Sequence, residues 1–249
     1  MPSLRDTLIL AWGIFSLFVA LGPPQALAED FVVIAVSGPV SNLETGQILD
    51  EQSRLNLQDG ATVSLMTQAG ETIELNGPFL GAVSTKKNSA TEENTKFLST
   101  VSDLILGVKK QTTVIGAARR TLPIELPDKN HLLINVDSSG NRCIPNDGAH
   151  FWRKNSSEMI EVSLRSDSAR LTGTKWPENS NLLALPKEFQ VDGDLLVVRL
   201  GKEPRRFNLH VQPKALEIEH IGNVLKWMLS KGCDRQATTL LNGLAETHQ

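Results

Sequence analysis

Apolar and polar residues alternating with a period of two, interrupted every ~8–12 residues by a turn signal, limit this chain more than any other feature. Leu55 and Leu57 alternate with Arg54 and Asn56, Val63 and Leu65 with Thr62 and Ser64, and Ile73 and Leu75 with Thr72 and Glu74. Successive side chains of a strand point to opposite faces, so each such run forms a strand with one dry and one wet side. Phe31–Val36 (FVVIAV) is apolar throughout and is expected to be a buried strand. Ser37-Gly38-Pro39, Asp59-Gly60, Gly70 and Asn76-Gly77-Pro78 provide the turns. These segments predict four short strands in a small antiparallel β-unit, a roll or barrel, over residues 29–85.

Residues 86–120 change character. A polar stretch holds Ser89-Ala90-Thr91-Glu92, which fits a capping box. Phe97, Val101, Leu104, Ile105 and Val108 then repeat at helical spacing, which predicts an amphipathic helix over the open face of the β-unit. An exposed connector ends at Arg119-Arg120. Residues 121–212 return to period two, with Leu132/Ile134/Val136, Ile160/Val162/Leu164, Leu195–Leu200 and Phe207/Leu209/Val211. That spacing predicts a sandwich of roughly seven strands, immunoglobulin-like in class though without its Cys–Trp–Cys spacing. Over residues 213–249 the pattern is helical again. Ile218, Ile221, Val224, Leu225 and Met228 mark one helix, Gly232 stops it, and Asp234 opens a second with Ala237, Leu240, Leu241 and Leu244. Trp227 is expected to pack this hairpin on the sandwich. The fold class is therefore mainly β (α+β overall): a small antiparallel β-roll with a helix, then a sandwich with a C-terminal αα-hairpin.

Leu8–Leu21 is an uncharged run of 14 residues preceded by Arg5, broken by Gly22-Pro23-Pro24 and followed by Ala26-Leu27-Ala28. This is the layout of a secretory signal peptide over residues 1–28, cleaved after Ala28. The run is short for a membrane span, which takes about 20 apolar residues. The expected mature chain lies in the bacterial periplasm, with no stable membrane insertion after cleavage.

The order Ser37-Gly38-Pro39-Val40, Gly46-Gln47-Ile48-Leu49 and DGATVSLMTQAGETIELNGP (59–78) resembles the β-repeat segment of bacterial FecR-like domains. The resemblance covers residues 31–85 and implies an envelope-facing β-module. Signalling members place a cytoplasmic segment and a transmembrane helix ahead of that domain, where this chain has a signal-peptide pattern. Farther on, Cys143, Phe151-Trp152-Arg153, Trp176-Pro177, Gly232-Cys233, Gln236-Ala237 and Leu240-Leu241 are similar to a family of uncharacterised bacterial periplasmic proteins. That likeness implies location and architecture, not an activity.

Cys143 and Cys233 are the two cysteines of the chain. In an oxidising compartment an even pair reads most simply as a disulfide, here tying the sandwich to the turn of the helical hairpin. The alternative is a reactive thiol at Cys143, beside Arg142 and near His150. His131, His150, His210, His220 and His248 are scattered, with no H-E-x-x-H and no clustered carboxylates, so no metal or cofactor is expected. No G-x-S-x-G elbow or phosphate loop is present, although Asp147 and His150 are available to a remote Ser. Trp152 and Trp176 read either as core plugs or, with Arg153 beside Trp152, as a stacked ligand contact. Lys202-Glu203-Pro204-Arg205-Arg206 reads as a solvated hairpin with anion contact as its functional alternative. With 25 Lys plus Arg against 28 Asp plus Glu, the net charge of −3 supplies no general field for nucleic acid. The expectation is a non-catalytic module for protein binding, scaffolding or sensing, with another envelope or periplasmic protein as partner. A periplasmic enzyme, or a glycan-binding module acting on cell-wall material, is the alternative.

Overall fold

The computed structural model describes residues 30–40, 42–83, 92–113, 130–201, 203–216 and 220–246, and within the helix at 92–113 the side chains of 95–107. The expected leader, the residues Ser89-Ala90-Thr91, the side chain of Val108, the pair Arg119-Arg120, Ile218 and His248 lie outside these.

The first sheet is built around β1 (Phe31–Ser37), which pairs antiparallel with β2 (Ile48–Leu49) and with β4 (Thr62–Thr67). β5 (Thr72–Asn76) extends it beyond β4. β3 (Arg54–Leu57) and β6 (Phe79–Ala82) pair as a separate two-stranded sheet. Phe31, Val33, Val63 and Leu65 from the first sheet share one core with Leu55 and Leu57 from the second. Among its described residues the unit thus has six strands rather than four. Asp59-Gly60 turns the chain, but its flanking strands do not pair with each other, because β3 belongs to one sheet and β4 to the other. Close backbone stacking holds this corner: a Cβ on Gly38 would lie 2.4 Å from the Gly60 carbonyl oxygen.

β1 does not alternate because both of its faces are covered. Val32 and Ile34, with Met66 of β4, face away from the roll into a core made with helices. α1 (Glu92–Thr113) contributes Phe97, Leu98 and Val101 to this core, and the Ser102 hydroxyl donates to the Gly46 carbonyl at 2.6 Å. The helix therefore covers the open face as its periodicity predicts, with its contact turned toward Leu98 and Ser102. α2 (Ile221–Ser230) and α3 (Asp234–Glu246) complete the same core through Val224, Leu225, Met228, Ala237 and Leu241. Trp227 belongs here as well, against the expectation that it packs on the sandwich. The cause is a backbone contact that seats α2 on the β4–β5 turn: a Cβ on Gly222 would fall 1.8 Å from the Gly70 carbonyl oxygen.

The second β-region is a two-sheet sandwich. β8 (Gly140–Ile144), β10 (Ile160–Arg165), β11 (Arg170–Trp176), β13 (Leu195–Leu200) and β14 (Glu203–Val211) form a five-stranded sheet in the order β11-β10-β13-β14-β8. β7 (Ile134–Asn135), β9 (His150–Trp152) and β12 (Leu182–Ala184) form a three-stranded sheet in the order β12-β9-β7. Among the described residues the count is eight, and two pairings, β8 with β14 and β7 with β9, are parallel. Phe151, Trp176, Phe189, Phe207, Val162 and Leu196 fill the interior. Each fully buried side chain of this size contributes about 1.5–3 kcal/mol.

One disulfide, Cys143–Cys233, joins β8 to the α2–α3 turn, as the sequence predicts. The helical hairpin thus packs on the roll and is bonded to the sandwich. Among the described residues, no helix is long and apolar enough to cross a membrane.

Candidate functional site

The sequence-derived contact residues separate once folded. Along β9 the inward residue is Phe151, so Trp152 points outward and is half-buried, directly opposite Leu182 of β12. Trp176 is fully buried in the sandwich and is the plug of its core. Arg153 is only 4% exposed and stacks over Trp176, with its Cζ 4.9 Å from the ring centroid. Its Nε donates to the Ser180 carbonyl at 3.1 Å and a terminal nitrogen to the Pro177 carbonyl at 2.6 Å. Burial pushes its guanidinium below the usual arginine range. Trp176 and Arg153 therefore serve the fold and are removed as ligand contacts; their stacking brackets the Pro177–Ser180 loop. Only Trp152 keeps a face for solvent.

The cysteines are similarly committed. Cys143 is buried in the disulfide with Cys233, so neither cysteine is a free thiol in this structure. Arg142 beside it is 4% exposed, donates to the Asn135, Ser138 and Asn141 carbonyls, and stacks over Phe207. Its pKa falls to about 10 through burial first and the neighbouring Arg235 second. His131 is lowered by burial. His210 is lowered by burial and then by Lys231, with Asp192 acting in the opposite direction. Among the described residues, no three His, Cys, Asp or Glu side chains gather as a metal-binding group.

The most distinctive surface is the outer face of the five-stranded sheet. Val162, Leu164, Leu171, Leu196, Val198 and Phe207 turn toward the core, so strand alternation sends their neighbours outward. Four of those are exposed arginines: Arg165 on β10, Arg170 on β11, Arg199 on β13 and Arg206 on β14. The strand register sets them close together. Arg165 lies opposite Arg170, and on its other side opposite Val197, which in turn lies opposite Arg206. One row across four adjacent strands thus reads Arg170, Arg165, Val197, Arg206. Arg199 stands in the next row between Ser163 and Pro204.

These residues line an open groove of about 580 Å³. Leu195, 44% exposed, and Val197 form its apolar floor, and among the described residues Asp167 is the one acidic residue along it. None of the four arginines forms an ion pair with a described carboxylate; the nearby pair joins Arg205 and Glu203 at 2.9 Å. A chain of net charge −3 therefore carries a concentrated cationic site.

The signal for this site is the hexapeptide Arg165–Arg170 (RSDSAR). The Ser166 N–H donates to the Ala169 carbonyl at 2.9 Å, closing a four-residue hairpin that sets its flanking arginines opposite each other. The Glu203–Arg206 part of the run read as a solvated hairpin belongs instead to strand β14, which turns Arg206 toward the groove. Its other corners come from strand pairing that a single sequence does not display. Comparison with protein-family models, with curated proteins and with solved structures gives no match for this chain.

Proposed function

We propose that the protein is an exported, non-catalytic envelope module that binds another protein, with the arginine-lined groove as its recognition surface. The observation that carries this reading is the Arg165–Arg170 pair, open to solvent and without a carboxylate partner among the described residues. Like charges directly opposite each other destabilise a sheet. A surface shaped only by stability disperses its charges and mixes their signs, whereas a binding surface retains the mismatch and lets its ligand relieve it.

The edges of the same sheet direct a partner to its face. On β8, the edge groups of Cys143 are bonded to Gln236. On β11, a register shift against β10 and Gly173 at φ +74° interrupt the edge. Bulged and covered edges are poor templates for an added strand. The leader pattern and the disulfide support export, and the Gly-bracketed turns of the roll support a FecR-like N-terminal unit. A second reading, glycan binding, rests on Trp152, whose half-buried ring stands beside Leu182 at 47% exposure.

Crosslinking in intact cells tests the main reading. The wild-type protein is expected to capture a defined protein, and Arg165→Glu/Arg199→Glu to lose it with no fall in melting temperature. Equal capture by both forms would remove the groove from recognition.

A further inference from the structure

We infer that the groove takes an extended acidic stretch of polypeptide with apolar side chains between its carboxylates; this rests on the groove being the recognition surface. Charge and shape both point to that chemistry. Arginine presents a planar fork of donors that matches a carboxylate with two parallel hydrogen bonds. The groove offers four such forks around an uncharged floor.

The spacing fits a chain rather than a point anion. Neighbouring strands are about 4.8 Å apart, so Arg165 and Arg206, two strands apart with Val197 between, have backbones separated by about 10 Å. In an extended chain, carboxylates four residues apart lie about 13 Å from each other on one face, with the residue midway between them on that same face. That spacing falls within reach of flexible arginine stems and sets the midway side chain over Val197 or Leu195.

A phosphate polymer or an anionic membrane would satisfy the arginines but leave that apolar floor without a partner. A membrane plane would also meet the negative charge of the rest of the molecule. The floor therefore selects polypeptide, and the arginines select its acidity.

The test uses the full mature chain and a fluorescent peptide repeating Glu-Ser-Leu-Ser, which sets Glu and Leu on one face of an extended chain, read by anisotropy. Saturable binding is expected, falling on the order of tenfold in Arg199→Glu and with rising salt. Gln-for-Glu and Ser-for-Leu peptides are each expected to bind more weakly. Equal binding of the Gln peptide would overturn the acidic class. Binding of polyphosphate or phosphatidylglycerol vesicles in place of the peptide would overturn the polypeptide class. If the peptide fails while in-cell protein crosslinks from the groove persist, the acidic inference falls and the protein-binding groove stands; if both fail, both fall.

Discussion

The side-chain amide of Gln236 meets the edge of β8 at Cys143 as another strand would, accepting from the Cys143 N–H at 2.7 Å and donating to its carbonyl at 2.7 Å. Arg142 and Ile144 stand on either side of Cys143, with Leu209 and Val211 as their β14 register partners. Gln236 thus satisfies the outward-facing pair of backbone groups and closes the edge. The disulfide from Cys143 to Cys233 anchors the same turn.

Gln236→Ala leaves a buried donor and a buried acceptor unpaired. Each such group costs about 1–3 kcal/mol, so the expected loss is about 2–6 kcal/mol, read from the urea midpoint at unchanged slope. Gln236→Glu separates the two bonds. Its carboxylate still accepts from the N–H but faces a carbonyl without a proton, so its folded pKa is raised. The penalty is absent below the ordinary Glu value of about 4.3 and develops as pH rises through the raised folded value. Equal stability of this variant and wild type across that range would contradict the bonding pattern.

Replacing both cysteines by Ala opens a loop whose ends are 90 residues apart. The chain-entropy model assigns such a crosslink on the order of 4–5 kcal/mol. Against a typical domain stability of about 5–15 kcal/mol, this predicts a protein that melts far lower yet still folds at low temperature. Differential scanning calorimetry of the oxidised protein and the double variant measures the difference.

Gly222→Ala normally favours a helix by up to about 1 kcal/mol. Here the added methyl meets the Gly70 carbonyl at 1.8 Å, which neither backbone relieves without moving. Net destabilisation is expected, with hydrogen exchange increasing in both α2 and the β4–β5 hairpin.

The aromatic residues give a separate check on burial. Trp176→Ala is expected to cost about 3–5 kcal/mol as a large core deletion, and Trp152→Ala far less. In single-Trp forms of the protein, acrylamide is expected to quench Trp152 and leave Trp176 almost untouched.

Much of this architecture was legible from period alone. Two-residue alternation marks the strands, and Ala237, Leu240, Leu241 and Leu244 place α3 on its proper face. Trp152 and Trp176 were harder, because one residue of register decides which face of a sheet receives a side chain. Phe151 takes the inward position on β9 and turns Trp152 out. Pairing partners were harder still: Asp59-Gly60 carries a hairpin signature but connects strands of different sheets. The groove combines both difficulties, since Arg165, Arg199 and Arg206 meet through register across three strands.

Arg170→Thr is expected to stabilise the sandwich by about 0.2–1 kcal/mol by removing the like-charge pair with Arg165. The same variant is expected to bind the acidic peptide more weakly. Opposite movement of melting temperature and affinity is the signature of a surface kept for binding, and a fall in both would assign Arg170 to the fold.

A photo-crosslinking side chain at Thr172, within the groove, tests the central claim most directly. In intact cells the account predicts a discrete protein adduct from Thr172, abolished by Arg165→Glu/Arg199→Glu and absent when the same group is placed at exposed Lys214. No protein adduct from Thr172, or an identical adduct from both positions, would contradict it.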